Sequence, residues 1–136
     1  MTDVLVVEPA PLVRGMVAEA LRDAGLRVTE AASAAAALAA VDAARRPPDV
    51  LVADAAPGAG GVDGPALAAE LRRRAPGIGV VYLAEHAAAC PGDAPGARER
   101  CLTKPFEPAR LARIVCGMAP PCPNPPRRVR GMDVMR

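Results

Sequence analysis

At 136 residues and 13.9 kDa the chain has the length of one domain. Acids and bases nearly balance at a formal +2, with no clustered basic face or aromatic stacking platform for nucleic acid, and no apolar run approaches the ~20 residues of a membrane-spanning helix. Apolar residues make up 51 %, but Tyr82 and Phe106 are the only aromatics. The core must therefore be aliphatic and alanine-rich, with close helix–sheet approach and modest stability.

In chain order, Val4-Leu5-Val6-Val7 is a continuous apolar run, the pattern of a strand covered on both faces. Val13, Met16, Val17, Ala20 and Leu21 recur at helical spacing between Leu12 and Leu26, and Gly25 stands where a helix C-terminus wants it. Leu26 to Ala31 reads as a short strand. Ser33 is a candidate N-cap for an alanine-dominated helix from Ala34 to Ala44, stopped by Arg45-Arg46-Pro47-Pro48. A third strand, Asp49 to Ala53, runs into Asp54 and a loop reaching Gly64. Pro65 suits the first turn of a helix that ends near Arg74, with Arg72-Arg73-Arg74 on its polar face. Gly79 to Leu83 is a fourth strand, Arg100 to Thr103 a weak fifth, and Glu107 to Met118 a last helix with Leu111, Ile114 and Val115 inward.

Alternating strands and helices joined by short connections imply parallel pairing through right-handed crossovers, with helices on both faces. Ligands in such folds sit at the carboxyl ends of the strands. That rim holds Glu8 and Pro9, Asp54, Ala84 and Lys104. A carboxylate there, with an ammonium beside it, suits phosphoryl acceptance, because such transfer is mostly positioning and charge neutralisation. Lys104 precedes Pro105, which fixes the direction of the chain around it. The segment Glu85 to Glu99 carries Pro91, Gly92, Pro95 and Gly96, so it reads as a broken helix: a short turn, a loop or a mobile stretch. Residues 119–136, rich in proline and arginine, read as a disordered or extended tail to a domain spanning 1–118.

The runs "VLVVEPA", "PDVLVAD", "PG…DG" and "KPF", in this order and spacing, resemble the receiver domain of bacterial two-component response regulators, in an atypical form. The resemblance covers Asp3 to Met118. It implies a doubly wound (βα)5 domain with a parallel five-stranded sheet in the flavodoxin-like order 2-1-3-4-5. It also implies phosphoryl acceptance on Asp54 from a histidine kinase or phosphotransfer protein, Lys104 as the partner of the phosphoryl group, and output by protein contact. The metal, Mg2+, would be held weakly by Glu8, Asp54 and the backbone carbonyl of Ala56. Pro9 stands where the resemblance wants a second acidic ligand, Ala84 where it wants a hydroxyl, and Cys101 where an aromatic switch residue often sits.

Asp54 and Lys104 favour phosphoryl acceptance, the leading reading, while Pro9 and Ala84 favour a rival, a phosphorylation-independent pseudo-receiver that acts as an interaction module. In neither case is an enzyme expected. A flavodoxin-like enzyme or binding protein is disfavoured, since Gly58, Gly60, Gly61 and Gly64 follow the third strand without a G-K-[ST] or G-x-G-x-x-G pattern and read as loop flexibility. The output protein is not legible, and a homodimer through the last helix has no strong apolar seam. Cys90, Cys101, Cys116 and Cys122 lack C-x-x-C spacing, and His86 is the sole histidine, so zinc is not expected. Cys101 reads as buried packing, and His86 as a surface residue. With no signal peptide or membrane span visible, a cytoplasmic protein with free thiols is the expectation.

Overall fold

A computed structural model describes residues 2–55, 63–91 and 98–118. The strands are β1 (Asp3–Val7), β2 (Arg27–Ala31), β3 (Val50–Asp54), β4 (Gly79–Ala84) and β5 (Arg98–Thr103). The helices are α1 (Pro11–Asp23), α2 (Ala34–Ala44), α3 (Gly64–Arg74) and α4 (Pro108–Met118), with a 3-10 turn at Ala87–Ala89. All four strand pairings are parallel, and the order is β2-β1-β3-β4-β5. This is the flavodoxin-like arrangement.

Strand β3 pairs on both sides, Val52 with Val6 of β1 and with Val81 of β4. Every residue of β3 and β4 is buried, which explains why both read as unbroken apolar runs. Alternation along the strands sends side chains to two cores. One gathers Leu5, Leu51, Val80 and Tyr82 with Leu67, Ala68 and Leu71 of α3 and Ala37 and Val41 of α2. The other joins Val4, Val6, Val52, Val81 and Leu83 to Val17 and Leu21 of α1 and Leu111 and Val115 of α4. The helix ends follow local chemistry. Ser33 accepts from the Ala36 N–H at 3.1 Å, Asp63 caps α3 through the Ala66 N–H at 3.1 Å, and Gly25 takes a positive φ of 90° after α1.

Two expectations change. The fifth strand starts at Arg98, and its alternation is legible only once Glu99 is accounted for: Glu99 points to the α3 side, where it pairs with Arg72 and accepts from the Tyr82 hydroxyl at 3.3 Å. Free thiols are overturned at two positions, since Cys90 and Cys101 form a disulfide with Cα atoms 6.0 Å apart. Sequence spacing hid this pair; β5 lies alongside β4, so the turn after β4 meets the middle of β5. Both sulfurs are half-buried against the α3-side core. Cys116 is free and exposed. The broken helix appears as the 3-10 turn, with residues 92–97 outside the described set, as are the 119–136 tail and Cys122.

Tyr82 is the only tyrosine, and its hydroxyl is pushed up from 10.0 to about 12, first by burial and then by the Glu99 carboxylate. The neutral phenol therefore contributes stability that is complete below pH 10 and is lost as the pH climbs through about 12. Absorbance at the tyrosinate band is expected to rise with a midpoint near 12 in the folded protein. A midpoint at the ordinary value of free tyrosine in a still-folded sample would contradict this burial.

Candidate functional site

Three strand ends build the site. Asp54 closes β3, Glu8 follows β1, and Lys104 follows β5. Backbone bonds carry the ladder one residue past the strands: the Glu8 N–H donates to the Ala31 carbonyl at 3.1 Å, and the Lys104 N–H to the Ala84 carbonyl at 2.7 Å. Lys104 starts from the edge strand, and Asp54 lies two strands inward, about 10 Å at ordinary spacing. Only a long cationic side chain bridges that gap. Its Nζ lies 3.3 Å from Asp54 Oδ2, 3.5 Å from Glu8 Oε1 and 3.4 Å from Glu85 Oε2. The Lys104–Pro105 peptide is cis.

Glu8 and Asp54 are the buried charged residues among those described, 2 % and 8 % exposed. A buried carboxylate is costly unless paired and hydrogen-bonded. Glu8 meets both conditions, since its Oε2 accepts from the Ala10 N–H at 3.1 Å while Oε1 faces Lys104. Burial works against the Lys104 ammonium, but Glu8 and Asp54, helped by the Asp54 hydrogen bond and by Glu85, outweigh it and raise its pKa. Lys104 is thus a firmly charged ammonium at neutral pH.

Of the residues expected at the site, the structure brings together Asp54, Lys104 and Glu8, while Ala56 lies outside the described residues. Pro9 is half-buried and adds no charge; Ala84 is buried and ends its strand in a methyl group. His86 is exposed. Among the described residues no cluster of three or more His, Cys, Asp or Glu side chains could hold a metal ion; Glu8 and Asp54 offer hard oxygen donors of the kind that suits Mg2+. The donor set is thin in number, because Glu8 and Asp54 are the inward-facing pair.

Sequence reasoning missed two members. Glu85 was legible only as the start of a broken helix, although its place directly after β4 puts it on the rim. Gly64 was read as loop flexibility, and the structure corrects this. It is buried as the first residue of α3, and a Cβ there would lie 2.3 Å from the Asp54 carbonyl oxygen. Glycine lets the start of α3 press against the backbone that carries Asp54.

A family model for the response regulator receiver domain matches residues 4–116. The chain belongs to this family. Among solved structures, CheY4 of Vibrio cholerae, a chemotaxis response regulator, is 27 % identical, with a TM-score of 0.70 over 87 % of this chain and 98 % of that one. NtrX from Brucella abortus, solved with ADP, is 30 % identical with a TM-score of 0.71, over 87 % of this receiver but only 27 % of NtrX. TrrA of Thermotoga maritima, solved with Mg2+ and BeF, shares the fold at 22 % identity and a TM-score of 0.70, over 87 % of this chain and 99 % of that one. No curated protein sequence matches.

Backbone oxygen cannot retreat from a new methyl group as a flexible side chain would. Gly64→Ala is therefore expected to destabilise the receiver by roughly 1–3 kcal/mol, read as a lower urea midpoint. An unchanged midpoint would show that α3 does not press on Asp54.

Proposed function

We propose that this receiver accepts a phosphoryl group on Asp54 and signals through protein contact. One observation carries this reading: a single ammonium, Lys104, lies within 3.5 Å of both buried carboxylates, Asp54 and Glu8. Receiver domains are signalling modules that work with histidine kinases and output domains, and they commonly bind Mg2+.

In the proposed step a carboxylate oxygen of Asp54 attacks phosphorus in line. A P–O bond forms as the P–N bond of a phosphohistidine breaks, and the imidazole leaves with its electron pair. Lys104 already bonds Asp54, so its charge is in place to stabilise the negative oxygens that arrive. Glu8 Oε1, 3.5 Å from the same ammonium, helps hold it in place. Mg2+, if held by Glu8 and Asp54, would supply further charge neutralisation. A docking surface for a phosphodonor adjoins the rim, where α1 begins three residues after Glu8 and exposes Leu12 (88 %) and Met16 (43 %).

A second reading, the phosphorylation-independent interaction module, is favoured by Ala84 and Pro9. Ala84 has no hydroxyl at the end of β4 with which to bond an arriving phosphoryl oxygen and draw the next loop inward. Intact mass after incubation with acetyl phosphate and Mg2+ separates the two. An added phosphoryl mass is expected, and it should vanish in Asp54→Asn. No adduct in the wild-type protein under forcing conditions would leave the interaction module standing.

A further inference from the structure

The segment after β4 couples the site to the disulfide. Glu85 is its first residue, 71 % exposed at the side chain, and it reaches Lys104 at 3.4 Å. Cys90 follows five residues later, bonded to Cys101 in β5. Between them lies only the 3-10 turn, held by N–H groups of Ala89 and Cys90 donating to the carbonyls of His86 and Ala87 at 2.9 and 3.1 Å. Glu85 to Ala88 are exposed, and only Ala89 and Cys90 pack on the core. A stretch with so few buried contacts opens readily by itself. The β4–β5 ladder anchors its start at Ala84, and its far end is held covalently by the disulfide.

We propose that Cys90–Cys101 is a thiol-exchangeable tether that keeps Glu85 in competition for Lys104, so that reduction loosens the Glu85–Lys104 pair. The co-reactant is a low-molecular-weight thiol. Its thiolate attacks one half-buried sulfur, forming a mixed disulfide and releasing the other cysteine as a thiolate that takes up a proton. A second reductant thiolate then displaces the mixed disulfide. The protein disulfide gains two electrons and two protons, and the reductant leaves as its own disulfide. With Glu85 released, Glu8 and Asp54 remain as the carboxylate partners of Lys104 among the described residues. Any gain in phosphoryl acceptance rests on the function proposed above; the change at Lys104 does not.

Lys104 is the only lysine in the chain, so an amine-acetylating reagent reports on it alone apart from the N-terminus. The probe is N-hydroxysuccinimidyl acetate at fixed pH. It is applied to oxidised protein and to protein reduced and desalted, in a Cys116→Ser/Cys122→Ser background; hydroxylamine then strips acetyl from the freed Cys90 and Cys101 thiols, and acetylation is counted on Lys104 Nζ by fragment ions. Reduction is expected to speed labelling about threefold, the scale of one exposed ion pair. Glu85→Gln should label at the faster rate in both states, and Cys90→Ser should do so without reductant. Equal rates before and after reduction would overturn the tether, as would a redox difference that survives Glu85→Gln. Acetyl phosphate run in parallel keeps the two proposals apart: a redox-dependent Lys104 with no adduct on Asp54 supports the tether and removes the phosphoryl function.

Discussion

One ammonium holds the functional end of this domain together. Glu8 and Asp54 are buried at the carboxyl ends of adjacent strands, and two carboxylates in such a place repel each other and resist desolvation. Lys104 answers both problems, because its Nζ bonds both groups from beyond the far edge of β4. The strand order makes this geometry available. The parallel crossovers bring residues 8, 54 and 104 to one rim, and the aliphatic cores on either face keep the strands in register.

Much of this was legible in the sequence, for reasons that differ by residue. Continuous valine and leucine runs at β1, β3 and β4 announce strands covered on both faces, and the carboxyl-end rule then points to Asp54, Glu8 and Lys104 before any coordinates. The weak fifth strand was harder, because its α3-side face carries Glu99 and Cys101 instead of aliphatics and only Leu102 is buried on the other. What stayed hidden depends on distances that spacing does not encode. The Cys90–Cys101 bond needs the lateral adjacency of the β4 turn and β5. The role of Gly64 needs the closeness of α3 to the Asp54 carbonyl.

The same rim shows where this receiver departs from the pattern of its family. Pro9 offers no carboxylate next to Glu8, and Ala84 ends β4 without a hydroxyl, while Lys104 pairs with both Glu8 and Asp54. Glu85 adds a third carboxylate on the solvent side, and its exposure makes that contact the weakest of the three. Lys104 therefore stands between a buried inner pair and an exposed outer partner.

A double-mutant cycle on Glu8 and Lys104 tests the shared ammonium most directly. Unfolding free energies would be measured for the wild type, Glu8→Gln, Lys104→Met and the double variant. A coupling of about 1 kcal/mol or more is expected, because Lys104→Met leaves the buried Glu8 without its cation, while Glu8→Gln leaves Lys104 only Asp54 and Glu85. Effects that add to within about 0.3–0.5 kcal/mol would contradict the claim that one ammonium secures both carboxylates.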